Sequence, residues 1–255
     1  MFDSMMTAVL QTLGRAVVRC PDDHDQHPRG RSSVESGRGG AVVLVGGFAT
    51  TDPVLEPMNR WLTARGWDVT PVTGGAGMGC AGSTVEALRA HTVAAAERTR
   101  SPVWLVGHSR GGQFARAVAG AAPGHVAGLI TLGAPFDLYG LGLPTLAAAA
   151  MVTAAGTLGV PGMATLRCLT GSCCRDFRGT LRRPLPDGMP FTSIYSRGDR
   201  TVPAHASIDP AARNVEVTGG HLSLLTGTAA RRAVAVALDD HAARPEDTAA
   251  LPLGA

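Results

Sequence analysis

Two unbroken apolar runs, AVVLVGG at 41–47 and PVWLVGHS at 102–109, restrict this chain more than any other feature. A strand with one wet face alternates apolar and polar residues. A continuous apolar run has no face to offer water and needs cover on both sides. Helix-forming stretches separate these runs from further strand-like segments. The pattern predicts helices over 53–65, 83–100 (N-capped by Ser83 or Thr84), 111–120 and 222–240. It predicts strands at 125–135, 191–196 and 214–218, and a weaker one at 68–73 that Pro71 interrupts. Alternating strands and helices give an α/β chain: a mostly parallel sheet with helices on both faces. In such sheets the reactive groups gather at the carboxyl ends of the strands.

The ends read differently. Residues 1–20 are expected to form a short helix with Met6, Leu10, Leu13 and Val17 near one face. Residues 21–40 are Pro, Gly, Ser and charge, and read as a flexible linker. The ordered domain is placed at 41–240, with a tail at 241–255. Asp3 stands where a signal peptide would be basic, and no basic residue precedes Arg15, so the expected location is cytoplasmic. A net charge of +3 and 4% aromatic residues argue against nucleic acid as a partner. All 23 basic residues are Arg, which excludes Schiff-base lysine chemistry and a phosphate loop that relies on its Lys. Of the five cysteines, Cys20 and Cys80 stand isolated, and Cys168, Cys173 and Cys174 cluster in RCLTGSCCRDF. Without a second CxxC or a nearby His, no metal site is expected. A bridge from Cys168 to Cys173 or Cys174 is open under oxidising conditions.

The chemistry is carried by Gly107-His108-Ser109-Arg110-Gly111-Gly112 at the end of an apolar strand. A nucleophilic serine needs a tight strand-to-helix turn that lifts its hydroxyl clear, with small residues two places to either side. Gly107 and Gly111 meet that need. His108 reads as an elbow residue packed beside the nucleophile, because adjacent side chains diverge along a strand.

With these motifs the sequence resembles the α/β-hydrolase superfamily, and within it the lipase-like serine esterases, over about residues 41–240. The resemblance implies the α/β-hydrolase fold with a lid insertion at about 137–189. It implies an oxyanion hole from the backbone N–H groups of Phe48, in Gly46-Gly47-Phe48, and of Arg110. It places the triad acid in YSRGDRTVP, at Asp199, with Asp209 in IDPAAR as the alternative. The base falls in TGGHLSLL, at His221, with His205 as its competitor. The chain order Ser, Asp, His is the order of the fold.

The implied activity is cleavage of carboxylic esters, of apolar acyl or lipid type, through an acyl-enzyme on Ser109. Thioesterase, acyltransferase or amidase activity on the same triad, or a non-catalytic binding role, are the alternatives. No metal or organic cofactor is needed, since the triad supplies nucleophile and base. Partners are thus a small-molecule or lipid ester. From Leu138 to Leu166 the insertion carries no charge, which suits a cover over an apolar pocket. Its Ala, Gly and Pro content dilutes its hydrophobicity, so no stable membrane span is expected. Arg110 is an unusual neighbour for the nucleophile. Its guanidinium either favours an anionic substrate or points outward to solvent or a surface acid.

Overall fold

The computed structural model of this chain describes residues 40–136, 141–181 and 183–242. The helix expected over 1–20, nearly all of the 21–40 linker and the tail beyond 242 lie outside the described residues. The apolar runs form β1 (Ala41–Val45) and β3 (Val103–His108), every residue of both being buried. With β2 (Asp68–Val72), β4 (Val126–Leu132), β5 (Phe191–Tyr195) and β6 (Arg213–Glu216) they build one sheet in the order β2-β1-β3-β4-β5-β6. Every adjacent pair is parallel. Pro71 is accommodated because β2 is an edge strand, where the missing N–H disrupts no inner ladder.

The helices are α1 (Asp52–Thr63), α2 (Ala81–Thr99), α3 (Arg110–Ala121), α4 (Leu143–Thr157), α5 (Leu166–Thr170), α6 (Arg175–Thr180), α7 (Ala204–Ser207), α8 (Ser223–Thr226) and α9 (Thr228–Ala242). Alternate residues of each inner strand feed two separate cores. Val43, Val45 and Leu105 pack with Leu88 of α2, Phe114 and Val118 of α3 and Phe177 of α6. Val42, Leu44 and Val106 pack on the other face with Leu55 and Met58 of α1 and Val234 and Leu238 of α9. Each such side chain contributes about 1.5–3 kcal/mol when fully buried. This two-sided burial is the physical reason the runs show no polar alternation.

From β1 the chain crosses outward to β2 and then returns to β3 on β1's other side. The crevice at such a reversal lies between the carboxyl ends of β1 and β3, and those ends carry Gly46-Gly47-Phe48 and Ser109.

Two expectations need correction. Helix α2 begins at Ala81 with Cys80 at its N-cap, not at Ser83 or Thr84. Thr84 instead turns its hydroxyl back to the Cys80 carbonyl at 3.0 Å, as helical threonines do. The closing helix is broken at Gly227 into α8 and α9.

The segment after β4 contains α4, α5 and α6. Only Val152 and Gly156 of α4 are buried, while Leu143, Leu146 and Met151 are exposed. No helix among the described residues is long and apolar enough to cross a membrane.

The α3 core face also holds an ion pair, Arg116 Nη1 to Asp209 Oδ2 at 2.9 Å, with side-chain exposures of 4% and 9%. The Arg116 guanidinium lies over the rings of Phe136 and Phe191 and donates through Nη2 to the Arg183 carbonyl. Removing one partner leaves the other charge stranded. Asp209→Ala is therefore expected to lower the unfolding free energy by about 3–5 kcal/mol. Arg116→Met combined with Asp209→Leu should recover most of that loss, as read by urea denaturation.

Candidate active site

Ser109 occupies the junction between β3 and α3 with φ 54° and ψ −128°. That conformation lies outside the left-handed helical well and is strained for a residue with a side chain. The turn holds because its surroundings over-determine it. The Ser109 N–H donates to the Leu132 carbonyl at 2.8 Å, and Gly112 N–H donates to the Ser109 carbonyl at 2.9 Å. The neighbouring backbone leaves no room for side chains. A Cβ on Gly107 would lie 2.6 Å from Gly112 Cα, and one on Gly111 would lie 2.4 Å from the Val45 carbonyl oxygen. The elbow expected from Gly107 and Gly111 is thus enforced by packing.

The candidate donor loop sits directly against it. A Cβ on Gly47 would fall 2.8 Å from Ser109 Cβ and 3.0 Å from Arg110 N. Gly47 N–H donates to Thr50 Oγ1 at 3.0 Å, and Ala49 takes a positive φ of 55°, so the loop doubles back tightly. Arg110 is the first residue of α3, where an N–H has no partner within the helix.

Asp199 and His221 meet, as expected from their motifs. Their loops follow β5 and β6, and His221 Nδ1 lies 2.6 Å from Asp199 Oδ2. Asp199 Oδ1 accepts the N–H groups of Thr201 and Val202 at 2.8 and 2.9 Å. Burial favours the neutral acid, but the His221 hydrogen bond and charge and these two amides outweigh it. They hold the carboxyl below its usual value. Among the described residues no hydrogen bond joins Ser109 Oγ to His221; such bonds commonly tighten only with substrate present.

The competitors are accounted for elsewhere. Asp209 is committed to Arg116, and His205 is exposed on α7 without a contact to Asp199 among the described residues. His108 is buried, and its Nε2 donates to the His221 carbonyl at 3.1 Å. Its ring centroid lies 4.6 Å from that of His221. Burial, and then the charge of His221, push its pKa down to about 3, so it stays neutral and props the His221 loop.

Among the described residues Arg110 pairs with no acid, and it is only partly exposed. Its guanidinium lies over the Phe114 ring at 5.3 Å. Burial lowers its pKa, while negative charge on Cys174, Cys168 and Cys80 would raise it.

Two positioning residues escaped the sequence reading. Ser196 Oγ donates to the Gly219 carbonyl at 2.5 Å and accepts from Gly198 N–H at 3.0 Å, tying the Asp199 loop to the His221 loop. Gly133, φ 57°, lies beneath the pair, where a Cβ would come 3.1 Å from Asp199 Oδ2 and 2.7 Å from Leu224 Cδ1. Neither was singled out, because Gly133 and Ser196 fell inside the strands expected over 125–135 and 191–196, which end earlier at Leu132 and Tyr195. A groove of about 790 Å³ adjoins the donor loop at Gly46 and runs past Val72, Leu88 and Met163, without including Ser109, Asp199 or His221.

No protein-family model matches this sequence, and no curated protein matches it. Solved structures do match. Bacillus licheniformis lipase BlEst2 shares 17% identity over 79% of this chain and 91% of its own, with a TM-score of 0.58. The monoacylglycerol lipase of Paleococcus ferrophilus shares 16% identity over 79% and 94%, with a TM-score of 0.55. MGS-MChE2, an α/β hydrolase from a metagenome of lagoon sediments at Mar Chica, Morocco, shares 16% over 82% and 94%, with a TM-score of 0.54. This chain has the α/β-hydrolase fold.

The buried His108 gives the site a pH signature. The folded ring stays neutral down to about pH 3, whereas in the unfolded chain it takes up a proton near 6.5. Acidification through that window therefore favours unfolding. Asp199, held ionised in the fold, adds a loss in the same direction as pH falls through the carboxylate range and below it. His108→Gln keeps a donor for the His221 carbonyl and removes the titration. The unfolding free energy of this variant, measured against pH, is expected to fall less steeply between about pH 6.5 and 3.

Proposed function

We propose that this protein is a serine hydrolase that cleaves carboxylic esters through an acyl-enzyme on Ser109. The reading is carried by one observation. The 2.6 Å Asp199–His221 pair follows β5 and β6, while a strained Ser109 ends β3 of the same sheet edge. His221 Nε2 takes the proton as Ser109 Oγ bonds to the acyl carbon. Asp199 holds Nδ1–H and stabilises the imidazolium that forms. The N–H groups of Phe48 and Arg110 receive the oxyanion. On collapse His221 returns the proton to the departing alcohol. Water then repeats the sequence and releases the acid.

Apolar acyl groups are the preferred substrates in this proposal, with the segment around α4 as cover. Thr145 Oγ1, near the start of α4, donates to the Thr201 carbonyl beside the acid at 3.2 Å. Beyond its far end, Ala164 N–H donates to the Met78 carbonyl at 2.8 Å, close to the donor loop. The helix thus runs about 22 Å from the acid side toward the donor side. Its exposed surface is apolar: Leu143 and Leu158 are 83% and 87% accessible.

Ser109→Ala is expected to abolish p-nitrophenyl ester hydrolysis and labelling by a fluorophosphonate probe. Asp199→Asn should lower kcat by roughly 10³- to 10⁴-fold. Ester cleavage by Ser109→Ala at the native rate overturns the mechanism. The cover is tested separately with Leu143→Ser combined with Leu158→Ser, both exposed and so compatible with folding. Activity on an emulsified long-chain ester is expected to fall about tenfold, with soluble short-chain esters unaffected.

A further inference from the structure

Cys80 is not isolated. It lies 94 residues before Cys174, yet their sulfurs are 3.5 Å apart. Cys173 Sγ lies 3.8 Å from Cys174 Sγ, and the sulfurs of Cys80, Cys168, Cys173 and Cys174 all fall within 4.8 Å of one another. Zinc bound by four thiolates at about 2.3 Å in a tetrahedron separates its sulfurs by about 3.8 Å. We propose that these four cysteines form a structural tetrathiolate zinc site that fastens the α5–α6 segment to the start of α2.

The surroundings fit a bound anionic cluster. The Thr165 N–H donates to Cys168 Sγ at 3.4 Å. Gly82 and Ser83 lie in the open first turn of α2, directly after Cys80 at its N-cap. N–H groups aimed at sulfur orient metal-bound thiolates and spread their charge. Four thiolates and Zn²⁺ carry a net charge of two minus, and negative charge on three of these sulfurs would favour the charged Arg110 guanidinium. Arg178 clamps the cysteine loop through Nη1 to the Cys168 carbonyl at 2.6 Å and Nη2 to the Gly171 carbonyl at 2.9 Å. Gly82 permits the docking itself, since a Cβ there would lie 2.3 Å from the Cys173 carbonyl oxygen.

The site is closed, with four protein ligands and no open position, which makes it structural and not catalytic. Binding displaces the thiol protons, so affinity rises with pH. Because α2 follows the turn at Gly77, which packs on Gly47, the metal braces the floor of the donor loop as well as the insertion. The zinc site is independent of ester hydrolysis at Ser109.

The experiment is metal analysis of the full chain, purified under reducing conditions from zinc-supplemented culture. About one zinc per chain is expected by mass spectrometry. A strong chelator is expected to lower Tm by more than about 5 °C, and zinc to restore it. Cys173 is exposed, so Cys173→Ser disturbs little packing. It should keep under about a tenth of the zinc against a competing chelator, while Cys20→Ser keeps all of it. Cobalt-loaded protein should show the absorption of a tetrahedral thiolate complex, lost in Cys173→Ser. Metal-free protein with all five thiols alkylated overturns the proposal. So does an intact mass showing two disulfides among the four cysteines, or zinc retained equally by Cys173→Ser.

Discussion

The close approach of two backbones, the end of β1 and the start of α3, is the contact on which the rest of the site depends. Gly111 brings α3 against the carbonyls of Val45 and Gly46, and Gly47 brings the following loop against Ser109 and Arg110. A methyl group at any of these positions would push the elbow away from the donor loop by an ångström or more. In the proposed mechanism, misplacement on that scale would lose electrostatic stabilisation of the developing oxyanion. The strain at Ser109 is sustained by the same contacts, together with its hydrogen bond to Leu132 on β4. The sheet acts as a rigid bench, and the strained serine is clamped to it from both sides.

A second layer of organisation concerns the loops beyond β5 and β6. Asp199 is fixed by two backbone amides before it reaches His221, and His221 is fixed through its own carbonyl by His108. Ser196 then locks the two loops together. Every one of these polar groups is partly or fully buried, where a satisfied hydrogen bond is stronger and an unsatisfied one costs more. The buried Nδ1 of His108, without a partner among the described residues, is the exception. Its neutrality follows from that setting. A proton there would meet neither solvent nor an acceptor.

Several parts of this arrangement were legible beforehand, most of them for a physical reason. Fully buried strands must be continuously apolar, so 41–47 and 102–109 gave the sheet away. A nucleophile elbow must have small flanking residues, so Gly107 and Gly111 pointed to Ser109. Asp199 and His221 came instead from the family resemblance, each following a strand in that fold's chain order. Boundaries were less legible. A thiol at the helix N-cap is a weak signal beside the hydroxyls of Ser83 and Thr84, which is why α2 was expected to start late.

By itself the sequence determined the layer architecture, and it pointed to the strand ends and side chains of the proposed site. The architecture follows from local patterns of burial and backbone freedom. Tertiary structure alone decided which distant side chains meet. Asp209, a carboxylate like Asp199, was drawn to Arg116 in the core. Arg110 was laid over the Phe114 ring. Cys80 joined Cys168, Cys173 and Cys174 only when the insertion docked on α2. Contacts of that kind depend on how layers stack and where loops return. No spacing along the chain encodes a distance between residues that lie a hundred positions apart.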